Sequence, residues 1–162
     1  MGSFRKNDDD PQASNDLVTT DLDPPSEGRR PLVLVIDDDA DIRTAIQDLL
    51  DGEGFATVGA ADGQAALNLL ADPRNRPAVI LLDLMMPIVD GWTFCKIRQG
   101  IVTLMEIPVI TISAAPTTGT SEPLRVDGQI KKPFDADALI EMVTRMVGRK
   151  SFHGRTPGAR PD

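Results

Sequence analysis

The stretch A-V-I-L-L-D-L-M-M-P-I-V-D-G, residues 78–91, decides the fold. An apolar run, residues 78–82, ends in the carboxylate of Asp83, and Pro87 with the Asp90-Gly91 pair then turns the chain. An unbroken apolar run bounded by turn residues suits a strand covered on both faces, as in a parallel sheet flanked by helices. Asp83 then stands at that strand's carboxyl end, where open α/β sheets bind ligands. The everyday fate of an Asp after a strand is an N-cap or an Asx turn, so the neighbouring segments have to discriminate.

Upstream, residues 32–36 form a second apolar run rich in β-branched side chains, ending abruptly in Asp37-Asp38-Asp39. Ile42, Ile46, Leu49 and Leu50 then recur at helical spacing, with Gly52 and Gly54 as a stop. Residues 55–60 predict a short strand, and Ala65, Ala66, Leu69 and Leu70 mark a second amphipathic helix closed by Asp72-Pro73. Downstream, residues 92–99 predict a third helix with Cys95 inward. Residues 107–112 predict a strand ending at Ser113, and residues 128–131 a shorter, less apolar one. The last helix opens near Asp135 as N-cap and turns Leu139, Ile140, Val143, Met146 and Val147 inward. Strands alternating with helices predict an α/β, doubly wound, five-stranded parallel sheet with helices on both faces. Right-handed crossovers bring all the strands' carboxyl ends to one edge.

Composition narrows what such a sheet can do. A chain of 162 residues with 41% hydrophobic content supports one core with tails. Residues 1–30, acidic and poor in core formers, and residues 149–162, with Arg149, Lys150, Arg155 and Arg160, are expected to be flexible around a domain at residues 31–148. A net charge of -8 argues against a nucleic-acid surface on the folded part. Cys95 is the one cysteine, which fits a reducing cytoplasm, and no run approaches the roughly 18 apolar residues that span a bilayer.

The expected edge collects Asp37, Asp38, Asp83, Ser113 and Lys132. Crowded carboxylates repel one another unless a cation sits among them, and oxygen-only donors favour a hard divalent ion such as Mg²⁺. With the ion neutralising an arriving phosphoryl group, and Lys132 and the Ser113 hydroxyl holding its oxygens, Asp83 becomes a carboxylate nucleophile toward phosphorus. Singly, each residue has an ordinary explanation: a helix cap for Asp37 and Asp38, a surface lysine, a turn hydroxyl. Their convergence on strand ends favours the chemical one.

Taken together, Val35-Ile36-Asp37-Asp38-Asp39, Leu82-Asp83-Leu84-Met85-Met86-Pro87 with Asp90-Gly91, Ile107-Pro108-Val109-Ile110 leading to Ser113-Ala114, and Lys132-Pro133-Phe134 resemble the receiver domain of two-component response regulators. The resemblance implies a flavodoxin-like sheet of order 2-1-3-4-5. It implies Asp83 as phosphoacceptor and Mg²⁺ held by Asp37, Asp38, Asp83 and the backbone carbonyl of Met85. It also implies Ser113 as switch hydroxyl and Lys132 as the site lysine, joined to Pro133 by a cis peptide. The implied partners are a sensor histidine kinase or histidine phosphotransfer protein and a downstream protein target. Such a module catalyses only its own phosphorylation and dephosphorylation. The chain is expected to act as a stand-alone cytoplasmic receiver without a DNA-binding or enzymatic output domain.

Departures from that pattern are visible too. Residues 114–127 hold Pro116, Gly119, Pro123 and several Thr, so the fourth helix is expected to be short, irregular or mobile. Gln129 stands three residues before Lys132, where receivers often carry an aromatic side chain, and the chain has no tyrosine. Both features speak mildly for the alternative, a receiver-like interaction module independent of phosphorylation. Two other classes fail on particular residues. A haloacid-dehalogenase-type phosphohydrolase wants an acid where Met85 stands, and a nucleotide-binding Rossmann domain wants a glycine-rich turn where this chain has three acids.

Overall fold

Each apolar run becomes a strand because its side chains can be buried alternately on two faces. In the computed structural model, which describes residues 28–114 and 124–152, the strands are β1 (Leu32–Ile36), β2 (Ala56–Ala60), β3 (Val79–Asp83), β4 (Val109–Ser113) and β5 (Gly128–Lys131). The helices are α1 (Ala40–Gly52), α2 (Gly63–Leu70), α3 (Gly91–Gln99), a single turn α4 (Val102–Met105) and α5 (Ala136–Phe152). All strand pairs are parallel, in the order β2-β1-β3-β4-β5, which is the doubly wound sheet expected.

Successive residues of a strand point to opposite faces, and the core divides accordingly. Leu34, Ile36, Ile80 and Leu82 pack with Ala66, Leu70 and Phe94 of α2 and α3. Val33, Val35, Val79 and Leu81 pack with Ile46 and Leu50 of α1 and Leu139, Val143 and Met146 of α5. All five residues of β3 and of β4 are buried. That double coverage is why these runs do not alternate between apolar and polar.

The ends of the elements are set by local chemistry. Asp39, Asp62 and Asp90 cap α1, α2 and α3 by accepting amide hydrogens of the first turn, and Asp135 does the same for the first amides of α5. Gly54, at φ 91°, takes the left-handed conformation that lets the chain leave α1 for β2. Two short pieces go beyond the sequence reading: a 3₁₀ turn at Pro73–Asn75 and α4. α4 precedes β4 and is not the helix expected between β4 and β5. Residues 115–123 of that latter segment lie outside the described residues. Just after them, Leu124 and Val126 pack against the α2–α3 side of the core.

The connection from α3 through α4 into β4 is built around Arg98, a buried charge. Its Nε donates to the Leu104 carbonyl at 3.2 Å, and Nη2 to those of Met105 at 3.2 Å and Ile107 at 2.6 Å. Burial lowers its pKa, opposed by Cys95 and Asp127. On the same helix Cys95 is buried, and burial pushes its thiol up to about 11. At pH 8 only about one thiol in a thousand would then be ionised. Iodoacetamide should therefore modify Cys95 far more slowly in the native protein than in urea, as followed by mass spectrometry; equal rates would contradict this placement.

Candidate functional site

Two crossovers deliver the acidic residues to one edge of the sheet. β1 ends at Ile36, and the three acids after it divide their work. Asp39 caps α1, its Oδ1 accepting from the amides of Asp41 at 2.9 Å and Ile42 at 3.1 Å. Asp37 is buried, with Oδ1 accepting from the Asp39 amide at 2.9 Å. Asp38 between them is exposed. Asp83 is the last residue of β3, only 6% exposed, and its Oδ1 accepts from the Met85 amide at 3.2 Å.

One carboxylate oxygen from each of Asp37, Asp38 and Asp83 lies within 4.8 Å of the others. Lys132 enters from the far side, directly after β5. Its amide donates to the Ser113 carbonyl at 3.0 Å, tying it to the end of β4, and its bond to Pro133 is cis. Its ammonium donates to Asp37 Oδ2 at 3.0 Å and to Asp83 Oδ2 at 3.4 Å. Ser113, the last residue of β4, is 5% exposed. The structure thus gathers the three aspartates and Lys132 into one site and places Ser113 on the strand end beside Lys132.

Electrostatics of the site follow from its burial. Desolvation pushes the Asp83 carboxyl above the usual carboxylate range, and Asp37 adds to this, while the Met85 amide and Lys132 pull the other way. For Lys132, burial pulls the ammonium down, but Asp37 and Asp83 together outweigh it and the net shift is upward. Three carboxylates facing one ammonium leave an excess of negative charge and of oxygen donors. That donor set suits a hard divalent cation.

The loop after Asp83 is held by close backbone approaches. A Cβ on Gly91 would fall 2.7 Å from both the Asp83 carbonyl oxygen and the Leu84 Cα, so only glycine lets α3 begin this near the site. Val89 is fastened to α2 by a 3.0 Å bond from the Gly63 amide to its carbonyl. Just before Val89, Ile88 adopts φ 67°, unusual for a β-branched residue, and is 82% exposed. In the sequence, Asp90-Gly91 was legible as a turn. The Gly63–Val89 tether was not, because nothing local pairs residues so distant in the chain.

Lys132 is more deeply involved than its sequence position suggested, since it bridges Asp37 as well as Asp83. Met85 contributes its amide to Asp83 and leaves its side chain 64% exposed. Gln129 is exposed on β5, opposite Thr111 in register. Among the described residues no helix is long and apolar enough to cross a membrane.

The chain is similar to known proteins in sequence and in fold. A family model, the response regulator receiver domain, matches residues 33–144. The chain is 37% identical over 133 residues to the transcriptional regulatory protein CseB of Streptomyces avermitilis, covering 80% of this chain and 54% of that protein. It is 34% identical over 133 residues to the probable transcriptional regulator ycf27 of Porphyridium aerugineum, covering 78% and 53%. The chain thus spans about half the length of these curated relatives. Among solved structures it is similar to the receiver domain of the Francisella response regulator 1452, with 36% identity, a TM-score of 0.66, and coverage of 75% of this chain and 99% of that one. A CheY-like receiver domain protein of Methanospirillum hungatei gives 32% identity and a TM-score of 0.65, covering 74% and 95%. With the family model matched from β1 into α5 and the sheet in the same order, the chain belongs to the receiver domains of two-component response regulators.

Proposed function

We propose that Asp83 is the phosphoacceptor of a two-component phosphorelay. The observation that carries this reading is the Lys132 ammonium, 3.0 Å from Asp37 and 3.4 Å from Asp83, in a site where three carboxylates converge within 4.8 Å. A structural ion pair needs one acid, and two surplus acids are a cost unless a cation and a phosphoryl group complete the set. A sensor histidine kinase or histidine phosphotransfer protein is the proposed donor. An Asp83 carboxylate oxygen attacks phosphorus, a P–O bond forms, the donor's P–N bond breaks, and the electron pair leaves with the imidazole nitrogen. Lys132, released from part of its pairing with Asp83, holds a phosphoryl oxygen, and the Ser113 hydroxyl donates to another.

Asp37, Asp38, Asp83 and the Met85 carbonyl would hold Mg²⁺, which when bound neutralises charge on the phosphoryl oxygens. The domain then signals by contact with a downstream protein, in the cytoplasm, and catalyses nothing beyond its own phosphorylation and dephosphorylation. Residues 1–30 and 149–162 are proposed as extensions outside the signalling domain. A receiver-like module that works without phosphorylation is the second reading, favoured by Gln129 at a position where receivers often carry an aromatic.

Two outcomes test the metal half of this. Labelling by acetyl phosphate should vanish in EDTA and return with Mg²⁺. Melting should also rise with Mg²⁺, since binding to the native state adds about 2.7 kcal/mol when the ion is at 100 times its Kd. Labelling that proceeds in EDTA, or a melting temperature indifferent to Mg²⁺, would count against it.

A further inference from the structure

Asp37 is fixed at every polar atom it has. Its amide donates to the Ala60 carbonyl at 3.1 Å, Oδ1 accepts from the Asp39 amide and Oδ2 from Lys132. Its carbonyl oxygen accepts from Arg43 Nη1 at 2.7 Å. That carbonyl belongs to the peptide joining Asp37 to Asp38. Asp38 is exposed and its carboxylate is not fastened by a hydrogen bond to any described residue, so the peptide that Arg43 holds is the anchored group next to a carboxylate that reaches within 4.8 Å of those of Asp37 and Asp83.

Arg43 reaches the carbonyl from the end of the first turn of α1 because β2 leaves room for it. A Cβ on Gly59 would stand 3.0 Å from Arg43 Cδ, 3.3 Å from its Nε and 3.0 Å from Gln47 Oε1, so the arginine stem and the end of the Gln47 side chain both lie across the glycine. The Arg43 amide also donates to the Asp39 carbonyl at 2.9 Å. The guanidinium and the helix backbone therefore bracket the whole acidic turn from one residue.

We infer that Arg43 is a positioning residue for the acidic site: its guanidinium, seated on Gly59, holds the Asp37–Asp38 peptide so that the Asp38 carboxylate is presented to the cation. This rests on the phosphoacceptor reading above and adds to it a residue that touches neither cation nor phosphoryl group. Geometry and charge give opposite signs here. A guanidinium near the acids repels a divalent cation, so a mere bystander would bind Mg²⁺ more tightly once removed. Removal of a positioning residue would instead weaken Mg²⁺ binding, by about ten-fold or more, the usual loss when a group that orients a metal ligand is deleted.

The test is a calorimetric Mg²⁺ titration of the full chain in four forms: wild type, Arg43→Met, Arg43→Lys and Gly59→Ala, with melting in EDTA as the measure of folding. The expected result is Mg²⁺ affinity about ten-fold weaker in Arg43→Met, largely recovered in Arg43→Lys, and lowered in Gly59→Ala, where the added methyl crowds the arginine stem and the end of the Gln47 side chain. Affinity in Arg43→Met equal to or tighter than wild type overturns the inference. So does equal weakening in the Met and Lys variants with equally lowered melting. Should Arg43→Met fail to fold, unchanged affinity in Gly59→Ala made together with Gln47→Ala, where the methyl meets the arginine stem alone, overturns it. A wild-type protein that binds no Mg²⁺ and takes no phosphoryl group overturns the phosphoacceptor reading itself and this inference with it, whereas a competent wild type with indifferent variants overturns this inference alone.

Discussion

Asp83→Asn is expected to abolish acetyl phosphate labelling while leaving the protein folded. The amide keeps the size of the carboxylate, and its carbonyl oxygen can still accept from the Met85 amide, the 3.2 Å contact that orients the side chain. What it loses is the anionic oxygen proposed to attack phosphorus. Asp37, Asp38 and Lys132 stay, so loss of labelling reports the acceptor and not collapse of the site. Stability gives an independent check with a definite sign. The fold disfavours the charged form of Asp83, through burial first and Asp37 second, and a neutral isostere escapes both. In EDTA the variant should therefore melt no lower than wild type. Persistent labelling would remove Asp83 as acceptor, and a sharp drop in melting temperature would show that its charge is structural.

Arg98→Met should be strongly destabilising although it lies outside the site, lowering stability by about 2–6 kcal/mol. The methionine fills part of the volume but donates nothing to the carbonyls of Met105 and Ile107, which Arg98 now satisfies, while the Leu104 carbonyl keeps only the Ile107 amide at 3.1 Å. Those carbonyls belong to the segment that feeds β4, and Ile107 and Val109 on either side of Pro108 are both fully buried. A domain of this size has about 5–15 kcal/mol to lose, so the urea midpoint should fall by a large fraction at unchanged m-value. A change below about 1 kcal/mol, the usual range for surface positions, would mean that the carbonyls find water or other donors readily.

Arg98 also shows where sequence reasoning stops. Residues 92–99 were legible as a helix with Cys95 inward, yet an arginine three residues on reads as solvated, because its partners are backbone carbonyls and carbonyls leave no trace in side-chain patterning. α4 escaped for a related reason: four residues are too few for periodicity. By contrast β1, β3 and β4 were plain, since double coverage demands long apolar runs and their carboxylate or hydroxyl ends mark one edge. Of the acidic turn, the sequence placed Asp37 and Asp38 at the site, but the division of labour among the three acids came from geometry: Asp39 alone caps α1. The link from Lys132 to Asp37 spans 95 positions, and only the parallel sheet order makes it close.

The central claim is that Asp83 takes a phosphoryl group in a cation-dependent reaction. It is tested most directly by incubating the full chain with acetyl phosphate and Mg²⁺, weighing the intact protein, and mapping the modified residue after reduction of the acyl phosphate with borohydride. One added phosphoryl group, borne by the peptide that contains Asp83 and absent when EDTA replaces Mg²⁺, is the predicted result. No addition under conditions where the folded protein binds Mg²⁺, or addition at any residue other than Asp83, would contradict it.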